Sequence, residues 1–166
     1  LEVRKILVPY DGSEFSENAL DYSVYLANSI SKGNPNKKKI KIVILHVISE
    51  LPLTKAVLDK MTLGCENRHP SLSSCIESIY QEIRTLMEKD INEKKLKYKS
   101  MEGISIESSI VYGNPSIKIV EYVKDYMIDM IIIGSNGLHG LAKLKGLGSV
   151  SRKVSENVRC PMIIIR

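Results

Sequence analysis

The residues best placed to do chemistry are glycines near the end of the chain. They run Gly134-Ser135-Asn136-Gly137, then Gly140, Gly146 and Gly148-Ser149-Val150-Ser151. Five of the ten glycines fall between Gly134 and Gly148, a clustering that calls for a local reason. The cluster follows an apolar run, Met130-Ile131-Ile132-Ile133, and precedes helical spacing at Val150, Val154 and Val158. Strand, glycine loop and helix together form a phosphate cradle. Glycine lets backbone N–H groups approach an anion, and the unpaired N–H groups of a first helical turn point at it. The bland alternative is a surface loop in which glycine only supplies turns. A second polar break, Asp11-Gly12-Ser13, follows the apolar run Ile6-Leu7-Val8-Pro9.

Other chemistries find less support. There is no GxxxxGK[ST] and no GxGxxG, so neither P-loop hydrolysis nor dinucleotide redox chemistry is indicated. Cys65, His69 and Cys75 lie close in sequence, but a structural zinc site wants four ligands, usually in tight pairs, and no CxxC occurs. An odd count of three cysteines points to reduced thiols and a cytoplasmic protein. The net charge of +5 raises nucleic acid as a partner. The basic blocks Lys37-Lys38-Lys39 and Lys94-Lys95-Leu96-Lys97 carry no interleaved aromatic residues to stack bases, and read as solvated surface. No apolar run approaches the roughly 20 residues of a membrane span, and Leu1-Glu2-Val3-Arg4-Lys5 lacks the pattern of a signal peptide. His46 lies in an apolar run and reads as a core or strand-end histidine. His139, in the glycine loop, reads equally as a phosphate contact or a solvated residue. No second carboxylate accompanies Asp11 to position a water or a metal, so efficient phosphoryl transfer is not expected.

The elements that must position these residues follow from periodicity. At 166 residues the chain suits one domain. Apolar strands are expected at Ile6–Pro9, Ile42–Ile48, Ile104–Val111, Met130–Ile133 and Met162–Ile165. The third alternates Ile104, Ile106 and Ile110 with Ser105, Glu107 and Ser109, which reads as an edge strand with one wet face. A helix with apolar positions Phe15, Ala19, Tyr22, Leu26 and Ile30 follows the first strand. A second helix carries Ile76, Ile79, Ile83, Leu86, Met87 and Ile91. A third opens at Asn114-Pro115-Ser116, with Asn as N-cap and Pro in the first turn. Residues 49–75 read as a long inserted segment, with a short helix expected at Lys55–Met61. Strands alternating with helices predict a doubly wound, five-stranded parallel α/β sheet in the order 3-2-1-4-5, with helices on both faces. Ligands bind beyond the carboxyl ends at the switch between strands 1 and 4, which brings Asp11 beside Gly134. Met162–Ile165 would form an apolar sheet edge, which invites pairing with another chain.

The chain resembles the universal stress protein family along its whole length, 1–166. The similarity runs through Ile6-Leu7-Val8-Pro9-Tyr10-Asp11-Gly12-Ser13, Leu45-His46-Val47, Gly113-Asn114-Pro115, Met130 through Ser151, and Cys160-Pro161-Met162-Ile163-Ile164. The resemblance implies a Rossmann-like domain, a homodimer, and, in the family's ATP-binding branch, the motif G-x2-G-x9-G-[ST]. Gly134, Gly137 and Gly148-Ser149 match it, with ten residues, Leu138 to Leu147, where the family places nine. The resemblance further implies ATP or AMP as ligand, with Asp11 by the ribose and phosphates through a metal ion such as Mg²⁺. Pro9 and Tyr10 would line the pocket, and the backbone of Ile42 would contact adenine. Ile133, Gly134, Asn136 and Gly137 would border the ribose and phosphates, and Gly148, Ser149, Val150 and Ser151 would hold the phosphates. The function so implied is a nucleotide-dependent switch in stress response rather than a turnover enzyme. The alternatives are a dimeric interaction module that binds no nucleotide and a slow Mg²⁺-dependent ATPase. Against an adenylating enzyme, the SGGxDS loop is absent.

Overall fold

The computed structural model describes residues 2–33, 39–50, 72–137 and 146–166. The elements are β1 (Lys5–Pro9), α1 (Glu14–Lys32), β2 (Ile40–Ile48), α2 (Leu72–Lys97), β3 (Ile104–Tyr112), α3 (Pro115–Asp125), β4 (Met130–Gly134), α4 (Ser149–Asn157) and β5 (Met162–Ile165). All strands are parallel, in the order β3-β2-β1-β4-β5. This is the order expected from the sequence. Its cause is visible in the strands themselves, because side chains alternate across a strand and both faces of this sheet are covered.

Ile6, Val8 and Tyr10 of β1 and its extension join Ile40, Ile42, Ile44 and Ile132 under α1 and α2. Leu7, Val43, Leu45, Ile131 and Ile133 form the opposite layer with Ile119 of α3 and Val154 of α4. Each fully buried Ile or Leu stabilises the fold by about 1.5–3 kcal/mol relative to exposure, so the five strands hold the molecule together through two separate layers. β3 and β5 are the sheet edges, as expected, and every residue of β5 is only partly buried.

The structure adds detail to the helices and shortens the inserted segment. The buried side of α1 is Ser16, Ala19, Leu20, Ser23, Val24 and Ala27, whereas Tyr22 is exposed. The spaced apolar positions Phe15, Ala19, Tyr22, Leu26 and Ile30 centre about a quarter turn from this stripe, with Ala19 shared and Leu26 and Ile30 partly buried against the core. Small residues bring α1 close to the sheet, and Ser23 Oγ donates to the Leu20 carbonyl (2.7 Å), so its polarity is satisfied inside the helix. On α2, Ile91 is buried and Met87 partly so, while Ile79, Ile83 and Leu86 are exposed. α2 also begins at Leu72, inside the span 49–75 expected to be inserted. The rest of that span from 51 to 71, with the helix expected at Lys55–Met61 and with Cys65 and His69, lies outside the described residues. α3 begins as expected: Asn114 Oδ1 accepts from the N–H groups of Ser116 (3.1 Å) and Ile117 (3.4 Å), with Pro115 in the first turn.

Candidate functional site

The chain leaves β1 at Pro9 and must turn before α1. Asp11 makes that turn. Its Oδ1 accepts from the Ser13 N–H (3.0 Å) and the Ser13 hydroxyl (2.6 Å), and its own N–H donates to Ser16 Oγ (3.4 Å). Gly12 sits at φ +80°, a conformation that side-chain-bearing residues rarely adopt. Ser13 in turn caps α1, its Oγ accepting from the Ser16 N–H (3.2 Å). Asp11 is therefore held in place, with its carboxylate at the positive end of α1.

The loop after β4 comes up against this turn. A Cβ on Gly137 would stand 2.6 Å from Asp11 Oδ2, and one on Gly134 would stand 2.8 Å from the Phe15 backbone carbon and Cβ. Both glycines are thus demanded by close approach: Gly134 to the first turn of α1, Gly137 to the Asp11 carboxylate. The same loop is tied to α4. The Ser135 carbonyl accepts from the Gly148 N–H (2.8 Å) and from Ser151 Oγ (2.8 Å), while the Ser135 N–H donates to the Ile165 carbonyl (2.7 Å). A Cβ on Gly148 would meet that carbonyl at 3.1 Å, so this glycine too permits the approach.

Gly148 is the N-cap of α4 and supplies no side-chain cap. The first intrahelical bond runs from the Arg152 N–H to the Gly148 carbonyl (3.0 Å). The N–H groups of Ser149, Val150 and Ser151 therefore have no partner within the helix, and such groups call for an acceptor, preferably an anion. Two helix N-termini, those of α1 and α4, and two glycine approaches meet at the carboxyl ends of β1 and β4, the switch point of the sheet.

The remaining expected residues divide. Asp11, Gly134, Asn136, Gly137, Gly148 and Ser149 lie on the two loops that form the crevice, with Asn136 half-buried and Ser149 exposed. Val150 is half-buried, and its backbone belongs to the first turn of α4. Pro9 and Ile133 are buried strand ends, so it is their backbone that borders the crevice. Ser151 is buried, with its hydroxyl taken up by the Ser135 and Gly148 carbonyls (2.8 and 3.1 Å). It braces the loop to the helix rather than presenting a hydroxyl to a ligand. The stretch 138–145, with His139, Gly140 and most of the ten-residue spacer, lies outside the described residues.

Two placements depart from the sequence reading. Tyr10 is 2% exposed and its ring packs on the α1/α2 side of the sheet, not in the crevice. Its hydroxyl donates to Asp90 Oδ2 of α2 (2.6 Å), and burial followed by this bond pushes the phenol's pKa well above its ordinary value. Ile42 is fully buried within β2, paired with Ile6 on one side and Ile106 on the other, three positions before Leu45, the partner of Pro9 at the end of β1. The hydrogen-bond directions explain why it cannot reach the crevice. The Lys41 N–H donates to Arg4 of the β1 side and the Leu45 carbonyl accepts from Tyr10, so odd residues of β2 face β1. The Ile40 N–H donates to Gly103 and the Ile48 carbonyl accepts from Gly113, so even residues, Ile42 among them, face β3. The β2 residue whose backbone faces the β1 side beyond the end of that strand is Val47. The Leu45-His46-Val47 sequence marks this strand end, but only the register identifies the direction.

His46 is buried, as expected, and its Nδ1–H donates to the Tyr10 carbonyl (2.8 Å). As to metal, the described residues hold no cluster of three or more His, Cys, Asp or Glu side chains able to bind an ion. Among the described residues, Asp11 is the carboxylate that Gly137 and the first turn of α1 hold at the crevice. Mg²⁺ keeps most of its water and accepts one or two carboxylates together with substrate phosphates. The donor set therefore fits Mg²⁺ only as a companion of a phosphate ligand.

The sequence pattern of the universal stress protein family matches residues 2–166. Universal stress protein YxiE of Bacillus subtilis is 32% identical over 162 residues, covering 98% of both chains. Universal stress protein MJ0577 of Methanocaldococcus jannaschii is 30% identical over 166 residues, covering 98% of this chain and 94% of the relative. Its solved structure superposes with a TM-score of 0.74 over 99% of this chain and 96% of that one, at 22% identity. A universal stress protein solved in complex with cAMP superposes with a TM-score of 0.55 over 99% and 97%, at 20% identity. No helix among the described residues is long and apolar enough to cross a membrane. The continuous match from the first strand to the last, on a sheet of this order, makes this chain a member of the universal stress protein family.

Proposed function

We propose that the protein is an adenine-nucleotide-binding regulator, a switch in stress response whose state depends on ATP or AMP in the crevice between β1 and β4. The observation that carries the reading is the junction of Asp11 and Gly137, a 2.6 Å approach for any Cβ, beside the uncapped first turn of α4. Backbone N–H groups of Ser149, Val150 and Ser151 would take the phosphates, and Asp11 the ribose or, through Mg²⁺, the phosphates. Bound Mg²⁺ would neutralise phosphate charge. Adenine would meet the Val47 backbone. A family member in complex with cAMP supports an adenine nucleotide as the ligand class.

Turnover is not part of the proposal: among the described residues no group of three or more His, Cys, Asp or Glu side chains could hold a metal ion, and the described histidine, His46, is engaged with the Tyr10 carbonyl (2.8 Å). The half-buried apolar edge Met162–Ile165 would pair two copies into a homodimer, and the protein would act in the cytoplasm. The test is to denature freshly purified protein and identify released nucleotide by chromatography, with calorimetric titration of ATP and AMP with and without Mg²⁺. Co-purified or tightly titrating adenine nucleotide supports the switch. Absence of both leaves an interaction module that binds no nucleotide. Light scattering after gel filtration tests the dimer, and a monomer at high concentration would refute it.

A further inference from the structure

The Asp11 turn is connected to α2, more than seventy residues further along the chain, through one side chain. Tyr10 immediately precedes Asp11. Its carbonyl is held by His46 Nδ1–H (2.8 Å), its N–H donates to the Leu45 carbonyl (2.9 Å), and its hydroxyl reaches Asp90 Oδ2 on α2 (2.6 Å). Glu17 of α1 stands 3.5 Å from the same hydroxyl and also accepts from Lys94 Nζ of α2 (2.6 Å). One turn further along both helices, Asp21 of α1 takes Lys97 Nζ (3.3 Å) and the Tyr98 hydroxyl. Asp90, Lys94 and Lys97 thus lie along one side of α2 and meet Tyr10, Glu17 and Asp21 in order. Only the first of these rungs uses the residue that adjoins Asp11.

We infer that Tyr10 couples the docking of α2 to the ligand crevice, with Asp90 and His46 as positioning residues that hold the Asp11 turn. The inference rests on the nucleotide reading for its affinity arm, but not for its structural arm. His46 and Leu45 fix the Tyr10 backbone. Asp90 fixes its ring, and the ring fixes where the chain leaves the sheet. A buried phenol bonded to a carboxylate has one good orientation, since losing the bond leaves both groups partly desolvated. By reciprocity, a ligand that needs the Asp11 turn in this geometry must in turn favour docked α2. α2 is thereby a part of the molecule through which a partner could sense occupancy of the crevice.

The test compares Tyr10→Phe, Asp90→Ala, Asp90→Asn and Asp21→Ala. Two readouts are made: the AMP and ATP affinity, and amide exchange of Ser13, whose N–H donates to Asp11 Oδ1 (3.0 Å). Coupling predicts that Tyr10→Phe and Asp90→Ala each weaken nucleotide binding about fivefold or more, and that the double variant is no worse than either single one. Asp90→Asn keeps an acceptor for the phenol and should restore affinity. Asp21→Ala breaks the next rung of the same helix pair, and should lower stability while leaving affinity unchanged. The Ser13 amide should exchange faster in Tyr10→Phe and Asp90→Ala, but not in Asp21→Ala. Equal effects of Asp21→Ala and Asp90→Ala on either readout would overturn the inference, reducing it to general loosening of α2. So would wild-type behaviour of Asp90→Ala on both. If the wild-type protein binds no nucleotide, the functional proposal fails, and the Ser13 exchange still decides the coupling.

Discussion

Adding one methyl group at Gly137 is the sharpest perturbation of the crevice. The new Cβ would lie 2.6 Å from Asp11 Oδ2, about 0.8 Å short of ordinary contact. A carboxylate can usually swing away from such a clash. Here Oδ1 accepts from both the Ser13 N–H (3.0 Å) and its hydroxyl (2.6 Å), so a swing breaks the turn that starts α1. Hydrogen bonds to a charged group contribute about 1.5–3 kcal/mol each, and water recovers part of this at a half-buried residue. Gly137→Ala should therefore cost about 1–2 kcal/mol of stability. The larger effect is on binding. Either Asp11 or the loop must move by most of an ångström within the cradle, and a loss of about 1.4 kcal/mol of interaction is already tenfold in affinity. Gly134→Ala is the contrasting variant: its Cβ meets the Phe15 backbone at 2.8 Å, which cannot swing, so the cost falls on the fold at about 3 kcal/mol. At Gly146 a Cβ meets no described atom within 4 Å, and Gly146→Ala should alter neither property beyond about 0.5 kcal/mol. Urea denaturation and calorimetric titration of AMP measure the two effects separately. Wild-type affinity in a folded Gly137→Ala protein would refute the reasoning.

Further perturbations test the surroundings. Asp129 Oδ2 accepts from the N–H groups of Arg4 (2.9 Å) and Lys5 (2.8 Å), so Asp129→Ala should destabilise the entry of β1 by about 1–3 kcal/mol in urea denaturation with nucleotide affinity intact. Ser151→Ala removes one of two donors from the Ser135 carbonyl while Gly148 keeps the other, so about 0.5–1.5 kcal/mol of stability should be lost. Burial raises the pKa of the Cys160 thiol, so it should alkylate slowly at pH 8 and speed up when the protein is unfolded in urea, as peptide mapping of the labelled cysteine would show. Burial, then Asp90, raise the Tyr10 phenol, so the fold favours the neutral form. Its contribution is complete below the unfolded pKa of about 10 and is lost as pH rises above that value toward the folded one. Wild-type stability should accordingly fall more steeply between pH 9 and 11 than that of Tyr10→Phe. Parallel curves would contradict the assignment.

β1, β2 and β4 were legible because parallel strands buried on both faces are continuous apolar runs, β3 because its Ile residues alternate with Ser and Glu at a half-wet edge, and β5 because Met162–Ile165 is an unbroken apolar run. That the Asp11 turn comes beside the loop opening at Gly134 followed from the sheet order, whereas the direct approach to Asp11 is made by Gly137 and Gly134 meets Phe15. The face of α1 was partly hidden because Ser16, Ala19, Ser23 and Ala27 share it with Leu20 and Val24, while the bulky periodicity includes the exposed Tyr22. Small residues pack a helix close to a sheet without leaving a hydrophobic signal. The resemblance implied Ile42, whereas the β2 backbone that faces the β1 side beyond that strand is Val47; backbone direction alternates along a strand and depends on register, which side chains do not encode. Tyr10 was recoverable: Ile6, Val8 and Tyr10 share parity and therefore share a face. The apolar residues Ile79, Ile83 and Leu86 marked the helix correctly yet are exposed on α2, since periodicity reports a helical stripe and not what covers it.

The central claim is tested most directly by following backbone amides while ATP or AMP is titrated into the protein. The account predicts saturable shifts at Asp11 to Ser13, Gly134 to Gly137, Val47 and Gly148 to Ser151, with the largest at the first turn of α4. Saturation centred elsewhere, or no shift at millimolar nucleotide with and without Mg²⁺, would contradict it.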